Sequence, residues 1–218
     1  MKKQSFVIGI AGRTGAGKTT ISQAITEYFE PGEVSVIRQD DYYRDLSHLA
    51  LAERAAQDFD VPSAFDNNRF ARDLSSLSRG ESVVTPKFDF QNYTVSEGDT
   101  VLRAAPVVVV EGVFIFSLRR VSALLDLRIF VDVPRDIRFI RRLLRDQSMR
   151  ARSAESVVKQ YLASVREPDV AYTEIHRNDA DIILPNMNSA EKALAILALG
   201  IASRSNARIR ANVSADDT

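Results

Sequence analysis

Residues 12–19 read Gly-Arg-Thr-Gly-Ala-Gly-Lys-Thr directly after the apolar run of residues 6–10. The spacing G-x-x-x-x-G-K-[ST], placed between a strand and a helix, makes a loop whose consecutive backbone N–H groups turn inward around an anion. It therefore predicts strand, tight turn and helix in that order, and it names a ligand class: a nucleoside triphosphate with Mg²⁺. In this reading Gly12, Gly15, Ala16, Gly17, Lys18, Thr19 and Thr20 form the ATP-binding loop. Lys18 sets a point charge at the β- and γ-phosphates, and the Thr19 hydroxyl ligates the metal. The following helix aims its positive N-terminal end at the same anion.

The rest of the chain fits that start. Apolar, β-branched runs at 6–10, 34–38, 107–110, 127–131 and 181–184 alternate with helical patterns at 21–29, 67–79, 137–147, 156–165 and 190–203. Strands that are apolar throughout are buried on both sides, so the expected fold class is α/β: a P-loop NTPase-type, mainly parallel sheet with helices on both faces. Residues 82–103 differ in texture. Short β-prone pieces at 82–85 and 100–103 bracket Pro86-Lys87-Phe88-Asp89-Phe90 and the turn signal Glu97-Gly98-Asp99. This predicts a β-hairpin insertion over the carboxyl edge of the sheet, where α/β folds bind ligands, placed to enclose an acceptor. A single domain is expected over 1–204, with an Arg-rich lid over 135–168. The stretch 205–218 lacks an apolar face and reads as a mobile tail.

Composition narrows the function classes. Lys plus Arg and Asp plus Glu both number 29, so no overall field favours nucleic acid or a membrane. The absence of cysteine removes thiolate catalysis and disulfides. The apolar run at 6–10 is too short for a signal peptide and leads straight into the glycine loop, and no segment has the length to span a bilayer. A soluble, cytoplasmic protein is expected.

Two carboxylates stand at strand ends. Asp40 follows the second apolar run and Glu111 follows Val107-Val108-Val109-Val110, so both face the phosphates. Thr19, Glu111 and Asp40 are the candidate metal shell, directly or through water. Asp40 is also the candidate for orienting an acceptor hydroxyl and taking its proton. Adjacent Asp41 competes for that role, and residue order alone does not choose between them. Downstream, Arg138, Arg142 and Arg145 share one face of a helix beginning near Pro134, while Ile137, Ile140 and Leu144 form an apolar stripe elsewhere. This reads as a helix anchored by its apolar stripe, with guanidiniums that close on triphosphate oxygens. Both a solvated surface and an RNA-binding face remain alternatives for some of these arginines.

With these pieces placed, the sequence resembles the uridine–cytidine kinase family of the phosphoribulokinase/uridine kinase group. The segments that carry the resemblance are the phosphate loop, Gln39-Asp40-Asp41-Tyr42-Tyr43-Arg44-Asp45, Phe59-Asp60-Val61-Pro62-Ser63-Ala64-Phe65-Asp66, Glu111-Gly112-Val113, Phe130-Val131-Asp132 and Arg141-Arg142-Leu143-Leu144-Arg145-Asp146. The resemblance implies ATP- or GTP-dependent, Mg²⁺-assisted phosphorylation of the 5′-hydroxyl of a pyrimidine ribonucleoside, in a homotetramer serving pyrimidine salvage. It makes Lys18, Asp40 and Arg145 the catalytic set, with Thr19 and Glu111 around the metal. It sets Asp60 at the ribose hydroxyls, Arg142, Arg152 and Gln160 at the nucleoside, and Arg145 with Arg150 at the phosphates.

The departures from the family pattern cluster at the base-reading ends. In the family's acceptor hairpin a Tyr-Asp-Phe is followed three residues on by His; the matching residues here are Phe88-Asp89-Phe90 and Tyr93, with Phe88 and Tyr93 the candidates for acceptor binding. The phenolic hydroxyl of Tyr93 can donate or accept, so it faces a cytosine amino group or a uracil carbonyl equally well. Arg-Gly-Arg becomes Arg150-Ala151-Arg152, Pro-Arg-Gly becomes Pro185-Asn186-Met187, and Tyr-Ala-Asp becomes Asp179-Ala180-Asp181. The rival readings are a kinase of the same superfamily acting on an unusual nucleoside or sugar phosphate, and a nucleotide-binding regulatory protein.

Overall fold

The computed structural model describes residues 4–96, 98, 101–150, 152–165, 172–187 and 190–210. Its centre is a parallel sheet of β1 (Phe6–Ala11), β2 (Val34–Arg38), β7 (Val107–Gly112), β8 (Leu127–Asp132) and β9 (Ile182–Pro185), in the order β2-β7-β1-β8-β9. Phe6 lies beside Val107 and Ile8 beside both Val109 and Leu127. Successive side chains leave opposite faces, and each face has its own core. Ile8, Ile10, Val107, Val109 and Ile129 pack with α1 (Lys18–Glu27) and α7 (Glu191–Ser205). Val7, Val108, Val110 and Phe130 pack with α3 (Asn67–Ser78) and α4 (Arg119–Ser122). The strands read as unbroken apolar runs because both faces are covered.

Caps are local and explicable. Asp66 accepts from the Arg69 N–H at the start of α3, and Ser153 accepts from the Ser156 N–H at the start of α6 (Ala154–Gln160). Left-handed Asn206 ends α7. Short α2 (Leu51–Ala55) and α4 were not anticipated, having too few residues for a helical period to show. Beyond Gln160 the chain winds into a wider π turn, Tyr161–Val165, where one helix over 156–165 was expected.

The insertion is two small ladders instead of one. β3 (Val83–Val84) pairs antiparallel with β6 (Val101–Leu102), and β4 (Lys87–Asp89) with β5 (Thr94–Ser96). The inner reversal runs through 90–93, where the Asp89 carboxylate accepts from the Gln91 and Asn92 N–H groups. Glu97 and Asp99 of the expected turn lie outside the described residues.

Residues 205–210 correct the expectation of a free tail. Ala207 is buried, Ile209 forms an antiparallel bridge with Phe29, and Arg208 pairs with Glu33 at 2.7 Å. Two apolar residues are too few to show as a face in sequence, yet enough to dock beside α1. Residues 211–218 lie outside the described part, as do 166–168 of the expected lid and Ala151.

The Arg-rich helix α5 (Arg135–Met149) is the second correction, because it packs the other way round. Arg138 and Arg142 are 2 % and 4 % exposed, while Ile140 and Leu144 of the supposed anchor are 49 % and 60 % exposed. Only Ile137 of that stripe packs on the core. The cationic face goes inward because it meets oxygen atoms there: the Val133 carbonyl takes the Arg138 Nε at 3.0 Å, and Asp60 takes Arg142.

Candidate active site

The glycine loop leaves β1 and enters α1 as its motif requires. Gly12, Gly15 and Gly17 have φ of +153°, +76° and +90°. At Gly15 the need is steric as well: a Cβ there would collide with the backbone carbonyl of Arg138, so α5 lies directly against the loop. Gly15, Gly17, Lys18, Thr19 and Thr20 line a cavity of ≈ 570 Å³ that reaches Asp40, Glu111 and Arg145. Gly12 and Ala16 shape the loop from behind; Ala16 is fully buried.

Two of the residues expected around the metal, Thr19 and Glu111, are in contact. The Thr19 hydroxyl donates to Glu111 Oε2 at 3.0 Å, and Arg38 Nε donates to Oε1 at 3.2 Å. Burial raises the Glu111 carboxyl, and the negative charge of Asp40 adds to this against Lys18. Among the described residues no three or more His, Asp or Glu side chains form an all-protein metal cage. A hydroxyl with one or two carboxylates beside a polyphosphate cavity suits Mg²⁺, a hard cation that keeps waters and shares phosphate oxygens.

Asp40 and Asp41 lie in the 3₁₀ turn Gln39–Tyr42 that follows β2. Both line the large cavity, but Asp40 also lines a second, smaller cavity of ≈ 70 Å³. Asp41 is pushed up to about 6, chiefly by burial.

The smaller cavity collects the expected acceptor residues: Asp60, Phe88, Tyr93, Arg142, Arg152 and Gln160. Arg142 clasps Asp60 in a bidentate pair at 2.8 and 3.1 Å, reaches Thr14 Oγ1 at 3.3 Å, and donates to Gln160 Oε1 at 3.2 Å. Burial opposes the Arg142 charge, but the Asp60 carboxylate outweighs it and raises the guanidinium above its ordinary value. Arg152 shares Gln160 with Arg142.

One wall of the smaller cavity is aromatic. Buried Phe88 packs against Tyr43 at 4.8 Å and Phe90 at 5.1 Å, and Tyr93 stacks on Phe59 at 5.2 Å and 22°. Tyr93 holds a left-handed backbone, φ +54°, a costly conformation for an aromatic residue and one that concentrates at functional sites. Arg150 was expected at the triphosphate; the structure has it lining the smaller cavity, 3.9 Å over the Phe90 ring. Burial lowers its guanidinium, helped by the like charge of Arg145. Lys18, Asp40, Phe90 and Arg145 line both cavities, so the two meet there.

Sequence reasoning gave no site role to Thr14, Tyr43, Phe59 and Phe90, although all four stood inside quoted segments. It also missed Asp146. That carboxylate is 0 % exposed and stands among Arg145 at 2.7 Å, Arg150 at 3.6 Å, Arg142 at 3.7 Å and Arg152 at 3.9 Å. An acid directly after Arg145, between Arg142 and Arg150, was the signal available. Among the described residues no helix is long and apolar enough to cross a membrane.

The model of the Phosphoribulokinase / Uridine kinase family matches residues 7–193. A uridine kinase of Clostridium perfringens is 40% identical over 195 residues, covering 89% of this chain and 94% of that protein. A uridine kinase of Staphylococcus epidermidis is 38% identical over 200 residues, covering 92% and 97%. Among solved structures, D-glycerate 3-kinase from Cryptococcus neoformans superposes with a TM-score of 0.55 at 14% identity, over 78% of this chain and 79% of that one, which is a likeness of fold. The family match spans the phosphate loop, both strand-end carboxylates and α5, and by it the chain belongs to the Phosphoribulokinase / Uridine kinase family.

Proposed function

We propose that the protein transfers the γ-phosphoryl group of ATP, with Mg²⁺, to the 5′-hydroxyl of a pyrimidine ribonucleoside, uridine or cytidine. The observation that carries this reading is the junction of a phosphate cavity with an aromatic-walled acceptor cavity at Lys18, Asp40 and Arg145. The relatives named uridine kinase support the acceptor class.

The loop amides and Lys18 hold the β- and γ-phosphates, while Thr19, Glu111 and Asp40 provide the oxygen set for Mg²⁺, which neutralises phosphate charge when bound. Asp60 accepts from the ribose diol, with Arg142, Arg152 and Gln160 around it. The rings of Phe88 and Tyr93 flank the base. Asp40 orients the 5′-hydroxyl and takes its proton as that oxygen bonds to the γ-phosphorus and the bond from the γ-phosphorus to the β–γ bridging oxygen breaks, releasing ADP, and Arg145 stabilises charge on the transferring group. A cytoplasmic homotetramer in pyrimidine salvage, with GTP as an alternative donor, follows from the family resemblance.

The test is a transfer assay with radiolabelled ATP or GTP and Mg²⁺ over uridine, cytidine, pentose phosphates and pantothenate. Label on the 5′-oxygen of uridine or cytidine supports the reading. Transfer only to another acceptor sinks the nucleoside assignment, and ATP binding without any transfer favours a regulatory protein.

A further inference from the structure

The segment Pro185-Asn186-Met187 departs from the family pattern, and the acceptor chemistry above gives it no task. Asn186 follows β9 at the carboxyl edge of the sheet. Its side-chain Nδ2 donates to the Ala16 carbonyl of the glycine loop at 2.9 Å, and it lies so close to Gly17 that a Cβ there would collide with it. Its own backbone is held twice: its N–H donates to the Asp132 carbonyl at 3.1 Å, and Arg141 of α5 donates to its carbonyl at 3.0 Å.

A trans peptide points its C=O and N–H in opposite directions. A donor that captures the Ala16 carbonyl from behind the loop therefore turns the Gly17 N–H forward, toward the cavity that Gly17 lines. We propose that Asn186 is a positioning residue for the phosphate loop: its amide sets the Ala16–Gly17 peptide for anion binding, and Arg141 ties that setting to α5. The inference rests on the triphosphate reading of the large cavity and is independent of which acceptor is used.

The test compares wild type with Asn186→Ala, using calorimetric titration with two probes, Mg·ATP and inorganic tripolyphosphate, alongside KM for ATP and for the nucleoside. Losing one hydrogen bond that shapes the loop is expected to weaken both probes in parallel by about 3- to 10-fold. KM for ATP should rise by the same factor, with KM for the nucleoside unchanged. A merely structural role would move the melting temperature and kcat without that split, and such a result overturns the proposal. Unchanged affinity for both probes does so too, as does a loss confined to ATP, which would make Asn186 a contact to the nucleobase. Asn186→Gln, which keeps the donor on a longer arm, is the second variant: recovery of part of the tripolyphosphate affinity is expected, and binding no better than Asn186→Ala counts against the donor role. A wild-type protein that binds neither probe sinks the triphosphate reading itself.

Discussion

Replacing Asp146 by alanine removes a carboxylate from the midst of four guanidiniums. The residue is fully buried, Arg145 donates to Oδ1 from Nε at 2.8 Å and pairs from Nη2 at 2.7 Å, and Arg142, Arg150 and Arg152 stand within 3.9 Å. Removing one partner from a buried ion pair costs about 3–5 kcal/mol, because the remaining charge keeps its desolvation cost without compensation. Here the lower end applies: the shortest contacts are to Arg145, which is a third exposed and can turn to water. At about 2–4 °C per kcal/mol for a chain of this size, about 3 kcal/mol lowers the melting midpoint by roughly 6–12 °C. Circular dichroism melts at low salt measure this, with Asp146→Asn as a same-shape control that keeps one acceptor and falls between. Tripolyphosphate should narrow the gap, since it supplies the missing negative charge to Arg145. A midpoint for Asp146→Ala within about 2 °C of wild type would refute the reasoning and place these arginines with screened surface charges.

Three further outcomes follow from the same geometry. Asp40→Asn should lower turnover by about 10²- to 10⁴-fold, the usual worth of a general base, with ATP affinity spared; near-normal turnover would remove Asp40 from that role. Asp60→Asn should reduce kcat/KM for the nucleoside by about 10- to 150-fold, as expected for lost charge-assisted hydrogen bonds, and leave KM for ATP alone; equal losses for both substrates would count against a ribose contact. The Tyr42 hydroxyl donates to Asp73 Oδ2 at 2.9 Å, so Tyr42→Phe should cost about 1.5 kcal/mol at neutral pH in denaturant titrations. Burial already raises the Asp73 carboxyl, and losing this donor raises it further. A raised carboxyl contributes stability at low pH that is lost as pH rises through its folded value, so the gap between variant and wild type should widen from acid to neutral pH. A gap independent of pH would show that the bond does not act on the Asp73 charge.

The sheet was legible because its signal is redundant. Val107-Val108-Val109-Val110 is buried on both faces, and each strand run was found to within about two residues at its ends. The phosphate loop was legible for a related reason, since few residue sets meet its backbone demands. Helix α5 was legible as a helix and misread as to face. Periodicity arguments assume that the apolar stripe turns inward, whereas Arg138 and Arg142 find a carbonyl, Asp60, Thr14 and Gln160 inside. Apart from Val133, five positions back, those partners come from 18 to 128 positions away, beyond the reach of a helical window. The same distance hid the Asn186 contact with Ala16 and the docking of Ala207 and Ile209 beside α1. Tyr43, Phe59 and Phe90 were likewise recognisable as aromatic residues, but only the fold brings them to one cavity wall.

The charge on the acceptor cavity bears on how transfer is favoured. Its lining carries Lys18, Arg142, Arg145, Arg150 and Arg152 against Asp40 and Asp60. Asp60 is matched by Arg142, and Asp146 behind the wall fixes the fan of arginines at an energetic cost met during folding. A nucleoside is neutral, so on the proposed reading it adds no negative charge to this lining. On the proposed reading Lys18 already holds the γ-phosphate of the bound donor, and the phosphoryl group would draw its oxygens toward Arg145 as it moves to the acceptor. Interactions that are weak with the bound substrates and strong with the group in flight lower the barrier without tightening the ground state. On the same reading the rings of Tyr43, Phe59 and Phe88, packed on one another at one wall of the cavity, would offer the base an apolar face while the charged groups stand on the side toward the phosphates.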